Sequence, residues 1–284
     1  MNFSIIIPVF NGDKTIRQCC SFILDQLGLE DEIIVVDDGS TDGTRERVLS
    51  LDDTRVRYTK KTHSGVSDTR NYGARLAIND ILLFHDADDI IGDGILEAVR
   101  KMFQDNNSLP WVFTSYNIIR ESNQEIIRHE NINTGIYEDV FELYRSFNRR
   151  HTRELISTCS VYIPRRLFLR TTGFNQELVS GEDTYFWLEY GRRHRQIGYV
   201  DMIGFSYIRG SIKANRRVHI ERSKKEGYRI TKALNLISKD AEEKHSYKFI
   251  IDIWILRYLK LSLRKFSLEQ FILAIRLYIK SKIL

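Results

Sequence analysis

The first ninety residues alternate short β-branched runs with segments of helical spacing, and no other feature of the 284-residue chain restricts its fold as much. Candidate strands are Phe3 to Val9, Glu32 to Asp37, Val56 to Lys60 and Ile81 to His85. Between them, Thr15 to Gln26, Thr41 to Ser50 and Val66 to Asn79 place apolar residues at helical spacing after a polar or glycine start. Repetition of strand, helix and strand builds an α/β fold with a mostly parallel sheet flanked by helices. Ligands of such sheets gather at the carboxyl ends of the strands. Here those ends carry Asn11 and Gly12, then Asp37 and Asp38, then His85, Asp86, Asp88 and Asp89.

The middle third reads as a strand from Trp111 to Arg120, a helix near Tyr137 to Asn148 and a strand near Ser157 to Ile163. A loop from Gly173 to Asp183 then leads into an aromatic helix, Thr184 to Tyr190, and from about Val218 onward the pattern is helical. The length suits one large α/β domain with a helical appendage. The three cysteines, Cys19, Cys20 and Cys159, form neither a disulfide framework nor a paired metal motif, so a reducing cytoplasmic setting is the default expectation. The start MNFSIIIPVFN lacks the charged and apolar regions of a secretory signal. The apolar run Phe249 to Leu261 is interrupted by Asp252, Arg257 and Lys260, short of the roughly 18 to 20 uncharged residues of a spanning helix. A formal net charge of +5 suits an anionic partner, which can be a nucleotide phosphate, an acidic membrane surface or nucleic acid. No nucleic-acid recognition motif accompanies it, so nucleic acid is not the expected partner.

Four short segments can carry chemistry. Asp37 and Asp38, followed by Gly39, Ser40 and Thr41, stand where the apolar strand IIVV meets the next helix. By itself this is equally a helix-capping turn. In His85-Asp86-Ala87-Asp88-Asp89 three carboxylates follow a strand within four positions, and their repulsion would be relieved by an oxygen-preferring divalent cation, Mg²⁺ or Mn²⁺. The competing reading is an acidic loop capping the helix from about Gly92. Ser64 to Gly73 makes a glycine turn and a helix start bearing Arg70, which is either solvated or paired with a carboxylate, phosphate or base. Gly181-Glu182-Asp183 precedes Tyr185, Phe186 and Trp187. A carboxylate beside aromatic surface can act as a general base, although an acidic pair also simply complements a helix dipole.

Taken in order, SIIIPVFN, IIVVDDGSTDGT, SGVSDTRNYG, FHDADD, TGFN and SGEDTYFW resemble the family 2 glycosyltransferases of the GT-A fold, a Rossmann-like nucleotide-binding architecture, over roughly residues 1 to 210. The resemblance implies that Pro8, Phe10, Asn11, Asp38 and Asp37 lie against the nucleotide base, with Arg70 nearby. It implies that Asp86 faces the ribose, that Asp88, with Asp86, holds the metal bridging two phosphates, and that Asp183 is the catalytic base with Glu182 beside it. The implied reaction inverts the anomeric carbon of a sugar carried by a nucleoside diphosphate, UDP being the commonest. The acceptor is a saccharide or lipid-linked saccharide hydroxyl in surface polysaccharide or glycolipid synthesis. Many relatives continue with a Tyr-Arg-x-His segment. Here Tyr207-Ile208-Arg209-Gly210-Ser211 has no histidine, which leaves Arg209 and Ser211 as phosphate contacts and His219 as a substitute ligand. The Gln-x-x-Arg-Trp motif of processive synthases is absent, so one sugar per encounter is expected.

The resulting division is a catalytic domain over residues 1–215, with a nucleotide-sugar half (1–110) and an acceptor half (111–215), and a helical C-terminal extension over 216–284. From Tyr247 to Leu284 that extension mixes aromatic and aliphatic residues with Lys and Arg and has only Asp252 and Glu269 as acids. Such helices lie in an anionic membrane interface at the inner face of the cell membrane, or pack on the catalytic domain or in a homodimer. A sugar-nucleotide pyrophosphorylase is disfavoured because SIIIPVFNGDKT is not a glycine-rich, arginine-containing phosphate loop. A non-catalytic nucleotide-sugar-binding module of the same fold is the alternative function, with intact Asp88 and Asp183 against it.

Overall fold

A computed structural model describes residues 1–120, 124–127, 132–147, 156–178 and 181–209. The expectations for Ser211, His219 and the extension 216–284 lie outside the described residues, as does the Arg209 side chain. The chain runs β1 (Phe3–Val9), α1 (Ile16–Leu24), β2 (Glu32–Asp37), α2 (Thr44–Leu49), β3 (Val56–Lys60), α3 (Val66–Leu76), β4 (Ile81–Phe84), β5 (Ile90–Ile91) and α4 (Ile95–Asp105). It continues through β6 (Val112–Arg120), β7 (Gln124–Ile127), β8 (Gly135–Tyr137) and α5 (Val140–Phe147). A 3-10 turn, Thr158–Ser160, then precedes β9 (Val161–Pro164), α6 (Arg165–Phe168), α7 (Glu182–Arg193) and β10 (Ile197–Arg209).

One sheet joins these strands in the order β3-β2-β1-β4-β9-β6-β10-β5, with β7 added beside β6 and β8 beside β10. The first four strands are parallel and are linked by helical crossovers. β9 runs antiparallel to both β4 and β6, and β6 is parallel to β10. β2 is buried along its whole length, as a central strand covered on both faces must be, which explains its unbroken EIIVVD. Successive residues of β1 face opposite layers: Ile5 and Ile7 join Ile16, Ile23, Ile95 and Val99 beneath α1 and α4, whereas Ile6 joins Val36, Phe84, Phe174 and Trp187.

β1, β2 and β3 stand at their expected bounds and β4 ends one residue early; α1 begins at Ile16 and α2 at Thr44, later than the expected Thr15 and Thr41, whereas α3 begins at Val66 as expected and ends early, at Leu76. The long strand β10 was not anticipated. Its sequence IGYVDMIGFSYIR is interrupted by Gly198, Asp201 and Gly204, and its pairing with β6 shifts register between Val200 and Phe205. These irregularities break the period-two pattern that marks a strand. They are required by close packing: a Cβ on Gly92 would stand 1.7 Å from the Ile203 carbonyl oxygen, and one on Gly204 would stand 1.9 Å from Thr114 Oγ1. β5, which follows the acidic turn after β4, therefore pairs closely and antiparallel with β10, with Gly92 N donating to the Gly204 carbonyl at 2.8 Å. No helix among the described residues is long and apolar enough to cross a membrane.

Candidate active site

The carboxyl ends of β1 and β2 form one wall. Asn11 takes a left-handed backbone with φ of 54°, its amide N–H donating to Ser40 Oγ at 2.8 Å and its Oδ1 accepting from Thr41 N at 2.9 Å. Asp37 is fully buried; it accepts from Ser40 N at 2.7 Å and from the Tyr58 hydroxyl at 2.5 Å. Asp38, 4% exposed, accepts from Lys61 Nζ at 2.5 Å, Ser64 N at 2.9 Å and Gly65 N at 2.8 Å. Burial alone would raise its pKa, but Lys61 and the two amides outweigh that and hold it below the usual carboxylate range. Half-buried Pro8 is the penultimate residue of β1, and the exposed Phe10 ring lies 4.5 Å from the His63 ring, centroid to centroid. His63 also places Nδ1 2.9 Å from the Asp38 carbonyl oxygen. This wall presents an exposed aromatic ring beside fixed polar groups. The sequence reading did not single out His63, which packs on this wall; a ring-bearing residue just ahead of the Ser64–Gly65 turn was the available signal.

The carboxyl end of β4 has the opposite character. His85 is fully buried and its pKa is depressed to about 4 by desolvation, so it is neutral. Asp88 is exposed at the rim, yet the surrounding protein and Asp86 push its carboxyl upward. Asp89 is buried; desolvation, then the charges of Asp86 and Asp88, push it up to about 8. Its Oδ1 has no hydrogen-bond partner among the described residues, while Oδ2 accepts from Cys159 Sγ at 3.5 Å. The ligand atoms of Asp86, Asp89 and Cys159 lie within 4.8 Å of one another, a group that includes the expected ligand Asp86 but not Asp88. Crowded, under-compensated carboxylates with a buried oxygen left over fit a hard divalent cation such as Mg²⁺ or Mn²⁺. The buried Cys159 thiol, held protonated by desolvation and by Asp86 and Asp89, is the poorest ligand of the group for such an ion.

The third component is the start of α7. Gly181 opens it with φ of 76°, a left-handed geometry that glycine adopts without strain. Asp183 Oδ1 accepts from Thr184 N at 2.6 Å, and Oδ2 accepts from the Thr158 hydroxyl at 3.4 Å. Glu182 turns inward, where its Oε1 accepts from Arg70 at 3.1 Å. The second Arg70 amino group donates to Asp86 Oδ1 at 2.9 Å. Burial would lower the Arg70 pKa, and the carboxylates of Asp86, Glu182 and Asp183 more than reverse that, so the guanidinium stays charged. Arg70 is thus an internal residue facing two carboxylates. The 3-10 turn repeats the connection: Thr158 meets Asp183, while the adjacent Cys159 accepts from Asp86 N at 3.3 Å. Two acidic motifs far apart in sequence therefore converge on Arg70 and on one three-residue turn. Thr158 and Cys159 carried no sequence signal, since their segment reads only as strand.

Comparison with known proteins agrees with this architecture. The family model described as "Glycosyl transferase family 2" matches residues 4–175, ending just short of Gly181-Glu182-Asp183. The Escherichia coli protein named UDP-Glc:alpha-D-GlcNAc-diphosphoundecaprenol beta-1,3-glucosyltransferase WfgD is 30% identical over 186 residues, covering 65% of this chain and 68% of that protein. An uncharacterized glycosyltransferase of Rickettsia felis is 29% identical over 204 residues, covering 70% of this chain and 31% of the relative. This chain accordingly spans about a third of the length of the rickettsial relatives it matches. Among solved structures, S. aureus TarS 1-349 in complex with UDP-GlcNAc superposes with a TM-score of 0.72 at 20% identity, covering 99% of this chain and 81% of that one. The shared fold is therefore that of TarS, and the chain itself belongs to glycosyl transferase family 2.

Proposed function

We propose that the chain is an inverting glycosyltransferase that moves a sugar from a nucleoside-diphosphate sugar, with UDP as the favoured base, to an acceptor hydroxyl. The observation that carries this reading is the convergence of two differently prepared acidic sites: an under-compensated cluster after β4 and a separate carboxylate, Asp183, at the start of α7. A single in-line displacement needs both, one group to accept the acceptor's proton and another to neutralise the departing diphosphate. A cation held by Asp88 with Asp86 supplies that neutralisation when bound. Asp183 takes the proton of the acceptor hydroxyl; the acceptor oxygen bonds to the anomeric carbon, and the electron pair of the breaking C–O bond leaves on the diphosphate. Thr158 and the Thr184 amide hold Asp183 in one orientation for that transfer. Pro8, Phe10, Asn11, Asp37 and Asp38 form the base-binding wall, Asp86 meets the ribose, and Arg70 backs the donor site. Arg209 and Ser211 are assigned to phosphate.

The catalytic unit is proposed to span residues 1–215. The name of the E. coli relative specifies a UDP-sugar donor and a diphosphoundecaprenol-linked acceptor, which favours a lipid-linked saccharide acceptor here, and the TarS complex holds UDP-GlcNAc, so both favour a UDP-sugar donor; the cytoplasmic face of the membrane is the proposed location. The basic C-terminal extension favours the same location. The test is release of nucleoside diphosphate from UDP-, GDP- and dTDP-sugars with Mn²⁺, with and without polyprenyl-linked saccharide. Asp183→Asn removes the proton acceptor without changing shape, so turnover should fall roughly 10²- to 10⁴-fold while nucleotide affinity barely moves. Near-normal turnover of that variant would remove Asp183 from the chemistry, and failure of every donor to be turned over would favour a non-catalytic binding module.

A further inference from the structure

Glu182 and Asp183 are consecutive residues of one helix, so their side chains leave the axis about 100° apart and cannot both face the same cleft. Glu182 is the one turned inward: it is 9% exposed and bound to Arg70, which is itself only 4% exposed. A general base must come within about 2.6–3.2 Å of the hydroxyl it deprotonates, and an acceptor cannot approach a carboxylate enclosed in this way. Asp183 is half-buried at the same helix start and remains within reach.

Arg70 is prepared for holding two partners. Its guanidinium lies 5.3 Å from the centroid of the Phe174 ring. That ring is fixed through its backbone, because Asn71 Nδ2 donates to the Phe174 carbonyl and Phe174 N donates to Asn71 Oδ1, both at 2.8 Å. Gly173 precedes it with φ of 70°, and any Cβ there would strike Asn71 Oδ1 at 2.3 Å. The planar fork on this stack reaches Asp86 with one amino group and Glu182 with the other. A lysine ammonium on a flexible stem does not reproduce that span.

We infer that Arg70 and Glu182 are a positioning pair in which the guanidinium straps the first turn of α7, and with it Asp183, to the Asp86 turn. Glu182 is the anchor of the strap and not a proton acceptor. The inference rests on the reading of Asp183 as the base. Its catalytic weight is that of alignment, since a displacement of about 1 Å at a reacting group can cost on the order of 10²-fold in rate.

The experiment uses the full chain and combines steady-state kinetics with thermal unfolding for Glu182→Gln, Arg70→Lys, Arg70→Gln, the double variant Arg70→Gln/Glu182→Gln and Asp183→Asn. Glu182→Gln keeps an oxygen that accepts from Arg70 and should retain turnover within about 10-fold of the parent, far above Asp183→Asn. Arg70→Lys should lose on the order of 10²-fold in kcat with donor KM changed by less than about 3-fold. The double variant should fall no further than Arg70→Gln alone, and its drop in unfolding temperature should be smaller than the sum of the two single drops, because each single change leaves a buried charge without its ion-pair partner. Turnover of Glu182→Gln as low as Asp183→Asn would place Glu182 in the chemistry and overturn the inference. Loss confined to donor KM in Arg70→Lys would make Arg70 a donor contact and overturn it equally. A parent chain silent with every donor would sink the functional reading instead, and the strap would then stand or fall on the unfolding cycle, where additive losses reject it.

Discussion

Asp37 and Asp38 end β2, and Asp86 to Asp89 follow β4, so the two groups flank β1 at the same edge of the sheet. Their electrostatic situations are opposite. At the β2 end every carboxylate oxygen has a donor, and Asp38 is held below its ordinary pKa. At the β4 end Asp88 and Asp89 are pushed upward and one buried oxygen of Asp89 lacks a partner among the described residues. A carboxylate satisfied by protein donors stabilises a loop and offers fixed geometry to a ligand. One left under-compensated costs free energy in the empty state and recovers it when a cation or proton arrives. The first site holds its shape through its own hydrogen bonds, and the second carries the uncompensated charge that the proposed cation would neutralise.

The sharpest way to break this contrast is Asp88→Ala. Its turnover should drop by about 10³-fold, because several kcal/mol of charge stabilisation at the leaving diphosphate is lost, while the unfolding temperature stays within a degree or two of the parent. Full transferase activity in chelator-treated parent enzyme would show that the β4 carboxylates serve something other than a metal.

Next in size is a pH effect in the metal-free protein. Asp89 has a folded pKa of about 8, above the ordinary value near 3.9, so folding takes up a proton between those limits. Stability should therefore decline as pH rises from about 4 to about 8, by on the order of a few kcal/mol. Asp89→Asn should flatten this slope, and added Mn²⁺ should offset it by replacing the proton. Unfolding scans in chelator across that range check the sign; stability that climbs with pH and ignores Asp89→Asn would contradict it.

The smallest expected change is at the satisfied end. Asp38→Ala removes three charge-assisted hydrogen bonds from a buried position and leaves Lys61 with Asp68 as its remaining carboxylate partner, for a loss of about 2 kcal/mol. Because the folded pKa of Asp38 is lowered, its contribution is present above the ordinary carboxylate pKa and lost as pH falls through the lower folded value. The parent should thus lose stability in acid faster than Asp38→Ala does. Equal acid sensitivity, read by denaturant unfolding at two pH values, would mean that Asp38 is no better compensated than Asp89.

Much of the first half was legible because its information is local. IIVV in β2 and ILLF in β4 are buried on both faces, and unbroken apolar runs of that length bounded by polar turns announce central strands. The acidic turns stand at strand ends, where an α/β sheet collects its ligands, so Asp38, Asp86 and Asp88 could be singled out without coordinates. The 3-10 turn at Thr158–Ser160 could not, because nothing in TCS distinguishes a strand entry from a turn that touches Asp86, Asp89 and Asp183.

The amino-acid sequence by itself determined the parallel βαβ core, the placement of carboxylates at its ligand-binding edge and the resemblance that the family match then confirmed. Tertiary structure decided the rest: that β10 runs through the sheet between β6 and β5, that Asp37 and Asp38 are compensated while Asp89 is not, and that Arg70 faces Asp86 and Glu182. The physical reason is range. Hydrophobic period and turn chemistry act between residues a few positions apart and leave a pattern in the chain. Desolvation and charge pairing depend on which distant segments pack together; Arg70 and Glu182 stand 112 positions apart, and neither carries a mark of the other.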